Sequence, residues 1–270
     1  MSERRACAVS HLNRGTYRYR SHQDPRTALR MRIREIAQVR IRYGYRKILV
    51  LLHREGWQVG KTMVSRLYRE EGLALRRTVP RRRRVAVERR ERPKVSGPNQ
   101  VWSLDFVSDQ LADGRRFRAL TVIDVYTRES LAIEPGQSLK GEDVVRVLQR
   151  IQKDRGGPKR LFCDNGSEFS SRVLDLWAYQ NRVRVDFSRP GKPTDNAHIE
   201  SFNGTFRNEC LNVHWFRTLG EAKQIIEAWR SEYNESRPHR ALGERTPQEF
   251  AQQIAASRDL LGLQTARNSL

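Results

Sequence analysis

Three carboxylates in this 270-residue chain stand at positions where an acid must have a reason. Asp105 lies in the middle of "WSLDF", among large apolar residues where an ionised carboxylate is costly unless something compensates it. Asp164 ends the apolar run of "RLFCDNG", at the carboxyl end of a predicted buried strand, the edge where open α/β sheets place their sites. Glu200 sits in "DNAHIESFNGTFRNECLN", one turn inside a predicted helix whose period puts Asn203, Gly204 and Arg207 on the same face. Acidic oxygens converging from separate elements, with no histidine or cysteine partner, are hard ligands suited to Mg²⁺ or Mn²⁺. Two such ions about 4 Å apart activate an attacking oxygen and stabilise a leaving one, so the chemistry implied is attack on a phosphodiester. Each acid also has a plainer reading: Asp105 satisfied by neighbouring backbone, Asp164 in an Asx-turn, Glu200 as an exposed helix residue.

The elements that must position these residues are written in the apolar pattern. "QVWSLDFVSD", "RRFRALTVIDVYTRES" and "LAIEP" are β-branched and apolar runs divided by the turn "LADGR", and they predict three antiparallel strands. "GEDVVRVLQRIQKD" predicts a helix, "KRLFCDNG" a short buried strand, "SSRVLDLWAYQNR" a helix and "RVDFS" a strand. The loop "SRPGKPTDN" then leads into the Glu200 helix, followed by helices over "LGEAKQIIEAWRSEYN" and "TPQEFAQQIAAS". Three strands followed by alternating helix and strand make an α/β layer with a mixed sheet. Among neighbouring acids, Asp124 and Asp195 read as turn and cap residues, and Glu168 as support for Asp164. Trp102, Trp177, Trp215 and Trp229 read as core.

The first third has another character. Residues 1–100 hold 27 Lys/Arg against 8 Asp/Glu, whereas residues 101–270 hold 25 against 23. An arginine-rich segment is favoured on a phosphate backbone by counterion release, which makes nucleic acid the expected partner. Residues 26–42 place Leu29, Ile33, Ile36, Ala37 and Val39 at helical spacing with arginines between them. "YRKILVLLHREG" and "KTMVSRLYREEG" predict two helices ending at Gly56 and Gly72, joined as in a helix-turn-helix. The second offers Lys61, Thr62, Ser65, Arg66 and Arg69 to DNA while Val64, Leu67 and Tyr68 face inward. Residues 78–98, with Arg81, Arg82, Arg83 and Arg84, have no sustained apolar period and predict a basic linker along phosphates. Lys192 in the loop, and Asn203 and Arg207 on the Glu200 face, are further expected DNA contacts.

Other classes are set aside by composition. No apolar run approaches the roughly 18 residues of a membrane span, and the start lacks the apolar core of a secretory signal, so a soluble intracellular protein is expected. Cys7, Cys163 and Cys210 are isolated thiols without zinc-site spacing and read as packing residues.

Taken together, "WSLDF", "FCDNGSEF" and "DNAHIESFNGTFRNECLN" resemble the DDE catalytic triad of bacterial insertion-sequence transposases and retroviral integrases, with 35 residues between Asp164 and Glu200. "IDVYTR", "SRPGKPTDNAHIES" and "YNESRPHRALGERTPQEF" resemble segments of the same domain, and the stretch before residue 98 resembles the helix-turn-helix region of second reading-frame products. The resemblance implies a small all-α helix-turn-helix-like region (1–77), a linker (78–98), a ribonuclease-H-like integrase core with a mixed five-stranded sheet and flanking helices (99–255), and a C-terminal tail (256–270). It further implies a transposase in which Asp105, Asp164 and Glu200 bind two Mg²⁺ or Mn²⁺ ions and the enzyme cuts and joins DNA at the element's inverted-repeat ends. Also implied are a homo-multimer on DNA, a dependence on the upstream reading-frame product, and a cytoplasmic, nucleoid-associated place in a bacterium. Arg207 stands where such proteins often carry Lys, which keeps the charge but alters phosphate geometry.

Overall fold

The computed structural model describes residues 1–20, 26–75, 95–188 and 196–267, with side chains as far as residue 257. Five strands form one mixed sheet: β1 (Val101–Gln110), β2 (Arg116–Asp124), β3 (Ser130–Gly136), β4 (Arg160–Cys163) and β5 (Arg184–Phe187), in the order β3-β2-β1-β4-β5. The first three are antiparallel neighbours, and β4 joins parallel to both β1 and β5. Parallel strands need a crossover, and α7 (Arg172–Gln180) supplies it between β4 and β5 while α6 (Gly141–Arg155) carries the chain from β3 across to β4.

Side chains alternate across β1, so its two faces serve two cores. Trp102 and Leu104 pack with α6 and α7, whereas Val107 joins Ile199, Phe202 and Phe206 of α8 (Ala197–Glu209) and Trp229 of α9 (Leu219–Glu235). Asp105 shares the α8 face, two residues before Val107. The last helix, α10 (Pro247–Arg267), starts in a reciprocal cap, the Glu249 amide donating to Thr246 Oγ1 at 3.1 Å and the Thr246 amide to Glu249 Oε2 at 2.8 Å. It runs ten residues past the expected end at Ser257, through "RDLLGLQTAR", a stretch rich in good helix formers.

Ahead of the sheet lie α1 (Glu3–Val9), α2 (Arg14–Arg18), α3 (Thr27–Val39), α4 (Tyr45–Arg54) and α5 (Lys61–Glu70). The last three bury their own cluster, with Leu29, Ile33, Ile48, Leu52, Val64 and Leu67 at its centre. Gly56 and Gly72 end α4 and α5 at φ +87° and +68°, the left-handed conformation expected at those positions. The helices α1 and α2 were not foreseen, because they are short and carry no periodic apolar face. Val39, expected on the apolar stripe of its helix, is instead exposed. Trp102, Trp177 and Trp229 are core residues as expected, but Trp215 is 84% exposed because its neighbour Phe216 takes the buried position.

The ends of α8 and α9 are joined by a buried ion pair. Glu209, the last residue of α8, accepts Arg237 Nε at 2.8 Å and Nη2 at 2.9 Å, with both side chains 12% exposed. Burial pushes the Glu209 carboxyl upward, but this fork and the nearby Lys47 outweigh it and hold it below the usual range. Replacing Arg237 by Met leaves a buried carboxylate with Lys47 alone. Arg237→Met is therefore expected to cost about 3 kcal/mol in urea unfolding, as a lower midpoint at unchanged slope, while a loss below about 1 kcal/mol contradicts a buried and coupled pair.

Candidate active site

Asp105 is paired across the sheet with Thr121, and α8 covers both. Its Oδ1 accepts the Phe106 amide at 2.8 Å and its Oδ2 accepts Nδ2 of Asn203 at 2.8 Å. The other end of the Asn203 side chain, Oδ1, lies 2.9 Å from the Thr121 hydroxyl, which is also 3.0 Å from the Asp105 carbonyl oxygen. Asn203, expected to face DNA phosphate, thus has both ends of its amide engaged inside the protein. Its half-buried position explains this: the helical face carrying residues 199, 202 and 206 packs on the sheet, and Asn203 borders it.

A second amide fastens the same helix, and the sequence reading did not single it out. Asn196, 7% exposed at the head of α8, bonds through Oδ1 to the Ser103 hydroxyl and donates from Nδ2 to the Leu104 carbonyl at 3.3 Å. Asn196 and Asn203 are seven residues apart, two turns of one face, and they fix α8 over successive residues of β1. The available signal was an asparagine directly before a helical pattern, although here its side chain caps no helix amide and reaches the neighbouring strand.

Asp164 follows β4, in a turn where its Oδ1 accepts the Gly166 amide at 3.0 Å. The Asn165 side chain donates to the Ser188 carbonyl at 2.8 Å and ties this turn to the end of β5. Gly166 leaves little room for a side chain: a Cβ there would stand 3.0 Å from Asp164 Oδ1 and 3.3 Å from Glu168 Oε2 and would press on both carboxylates. Glu168 accepts Arg118 Nη2 at 2.5 Å and the Ser167 hydroxyl at 3.1 Å. Partial burial works against it, yet these bonds hold the Glu168 carboxyl below its ordinary range. Arg118 lies 4.6 Å over the Phe106 ring, which stacks on Phe169 at 5.1 Å, so an aromatic layer supports the loop from beneath.

Glu200 is exposed in the first turn of α8, where the helix macrodipole favours a carboxylate. Gly204 and Arg207 are exposed on the same side. A Cβ at Gly204 would meet nothing within 4 Å, and Arg207 Nη2 donates to the Ser108 carbonyl at 2.8 Å. Lys61, Thr62, Arg66 and Arg69 are exposed along α5 and line a shallow concavity with Tyr45 and Ser65. Arg66 also pairs with Glu70 at 3.6 Å. Lys192, Asp195, and Arg81, Arg82, Arg83 and Arg84 of the expected linker lie outside the described residues. Asp124 has a fully buried side chain that accepts the amides of Asn99, Tyr126 and Thr127, the turn role its sequence suggests. Asp186 pairs with Arg160 and Arg184.

The electrostatics join the three acids. Burial raises the Asp105 carboxyl above its usual range, and the negative charges of Asp164 and Glu200 push the same way, against the bonds from Phe106 and Asn203. The charges of Asp164 and Glu200 thus both reach Asp105, although the three acids come from β1, the end of β4 and α8. Among the described residues no Lys or Arg is paired with any of them. Nor do any three Asp, Glu, His or Cys side chains there stand at metal-holding distance as they are. Three carboxylates, two of which push on the third and none of which has a cationic partner among the described residues, are a donor set of the chemistry that hard divalent cations take. No described helix is long and apolar enough to cross a membrane.

The chain is similar to known proteins. Two family models, each described as an integrase core domain, match residues 95–193 and 181–247, and one described as an HTH-like domain matches residues 25–84. The uncharacterized 31.7 kDa protein of insertion element IS407 from Burkholderia multivorans is 46% identical over 260 residues, 96% of this chain and 94% of that protein. Transposase InsD of insertion element IS2D from Escherichia coli is 28% identical over 88% of this chain and 83% of its own length. The cryoEM structure of the simian T-cell lymphotropic virus intasome in complex with PP2A regulatory subunit B56 gamma aligns with 82% of this chain and 74% of that chain. Its TM-score is 0.53 at 13% identity, a likeness of fold. With an integrase core spanning its acidic cluster and close to half of its residues shared from end to end with an insertion-element protein, the chain belongs to the DDE transposases of the integrase superfamily.

Proposed function

We propose that this transposase cuts DNA at the inverted-repeat ends of its element and joins the freed 3′-hydroxyl to another phosphodiester, with Asp105, Asp164 and Glu200 as its catalytic carboxylates. The observation that carries the reading is a half-buried Asp105, held by α8 through Asn203, whose carboxyl feels the charges of Asp164 and Glu200. That cluster is a cost to the fold, since a half-buried acid is pushed upward by the charges of two others. A pair of Mg²⁺ or Mn²⁺ ions held by these three residues would activate the attacking oxygen and stabilise the leaving one.

The remaining work belongs to the chain's own groups. Asn203 and the Phe106 amide keep Asp105 oriented, and the Gly166 amide does the same for Asp164. The exposed strip of α8 from Glu200 past Gly204 to Arg207 gives a phosphate backbone room to approach and a guanidinium to meet it. Lys61, Arg66 and neighbouring exposed residues of α5 supply contacts to terminal-repeat DNA, and Arg81 to Arg84 and Lys192 add charge along phosphates. The protein acts as a homo-multimer that pairs two ends, works with the upstream reading-frame product, and resides in the cytoplasm of a bacterium at the nucleoid.

The direct test is strand transfer with a labelled terminal-repeat oligonucleotide, comparing this chain alone with its fusion to the upstream frame. Asp164→Asn is expected to lower the rate by about 10³-fold or more while leaving end binding intact; retained activity removes the triad assignment. Asn203→Ala and Arg207→Ala should separate. The first lowers turnover at unchanged DNA affinity, and the second weakens binding and flattens its salt dependence by about one counterion, as read by fluorescence anisotropy. Asp105→Asn relieves the cost of the buried charge. In metal-free thermal melts above the carboxylate range it should raise the melting temperature relative to wild type, and added Mg²⁺ should stabilise wild type but not the variant. Equal metal response in both rules Asp105 out as a ligand.

A further inference from the structure

Three ion pairs join the N-terminal helices to the core at a seven-residue interval. Arg40, Lys47 and Arg54 reach Glu232 of α9, Glu209 of α8 and Glu249 of α10. Arg54 and Glu249 are largely exposed, so that pair orients more than it holds. The middle pair is different: Lys47 Nζ lies 3.1 Å from Glu209 Oε1, with the two side chains 25% and 12% exposed.

Each of these charges stands at the wrong end of its own helix. Lys47 is in the first turn of α4 and Glu209 is the last residue of α8, and the macrodipole disfavours both placements until they meet. Arg237 already neutralises Glu209 from within the core, so Lys47 is a second cation, brought from the DNA-reading unit. Its ammonium also sits 4.4 Å from the centre of the Tyr43 ring. The Tyr43 carbonyl accepts the hydroxyl of Tyr68 in α5 at 3.2 Å. A continuous series of contacts thus runs from the helix expected to read DNA, through Tyr68, Tyr43 and Lys47, to the C-terminal end of the helix that carries Glu200.

The other end of α8 is the one fixed on β1 by Asn196 and Asn203. Glu209 lies nine positions beyond Glu200, about 13 Å along a rigid helix, so a tilt at Glu209 is felt at Glu200. We infer that Lys47 is a positioning residue for Glu200: docking of the N-terminal helices on Glu209 sets the seat of α8, so that the unit holding the DNA end also sets the geometry of the acids. The inference rests on the proposed catalytic role of Glu200. Lys47 itself is turned onto Glu209 and contributes nothing to phosphate binding.

The test uses the full chain, in whichever form turns over, alone or fused to the upstream frame. Lys47→Met keeps Glu209 neutralised by Arg237 and should fold; Lys47→Gln replaces it if its melting curve departs from wild type. End-DNA affinity is expected to stay at the wild-type value, while the single-turnover strand-transfer rate at saturating DNA falls by about ten-fold to a hundred-fold. The Mg²⁺ concentration at half-maximal rate should rise, and Lys47→Arg should restore most of both. An unchanged rate and Mg²⁺ requirement overturns the inference. So does a loss of DNA affinity as large as the loss of rate, which would make Lys47 a DNA contact. Asp164→Asn, run alongside, separates the two claims: its continued activity removes the triad reading, whereas an inactive Asp164→Asn beside an unimpaired Lys47→Met removes only the positioning role.

Discussion

A carboxylate half-buried on a sheet face has to be held, and in this chain the Asn203 amide holds it, 2.8 Å from Asp105 Oδ2. Much else follows from that bond. The helix that supplies Asn203 must lie flat on β1, which the apolar row Ile199, Phe202 and Phe206 drives and the second amide, Asn196, registers. Once α8 is seated there, Glu200 stands exposed in its first turn, near enough for its charge to reach Asp105 as that of Asp164 does. The sheet order β3-β2-β1-β4-β5 makes this possible, because β1 and β4 are parallel neighbours and bring their acids to one side of the molecule.

Much of this fold is written locally. The apolar runs of the five strands, the glycine-ended helices and the spacing of Asp105, Asp164 and Glu200 are all properties of short segments, and each can be read without knowing its partner. What could not be read is what depends on a partner far along the chain. Asn203 is 98 residues from Asp105. On a helical wheel it shares the Glu200 side as well as it shares the packed side, and only the seating of α8 decides which it serves. Asn196, directly before the helical pattern, caps no helix amide and acts as a bolt to the strand. Trp215 reads as core by type, yet Phe216 beside it fills the apolar site. The two N-terminal helices, short and polar, fall below what periodicity can reveal.

Charge illustrates the same limit. The basic first third suggests DNA as a whole, but several of its arginines are spent within the protein. Arg30 meets Glu70 and Glu71, Arg32 meets Glu55, and Arg40 and Arg54 meet the core. Glutamates scattered through the sequence gather against them, so only part of the basic charge stays open to a phosphate backbone, Lys61 and Arg69 of α5 among it. A net charge counts all of these alike; folding sorts them into those that build the protein and those that face its partner.

The central claim is that α8 is held on β1 so that Glu200, Asp105 and Asp164 serve one metal-dependent centre. A crystal structure of the chain with Mn²⁺ and a terminal-repeat duplex, with ions located by anomalous scattering, tests it most directly. The account predicts ions bound by Asp105, Asp164 and Glu200, with the Asn203 amide still on Asp105. Ions held by other side chains, or an α8 displaced so that Asn203 leaves Asp105 while the three acids close on metal, would contradict it.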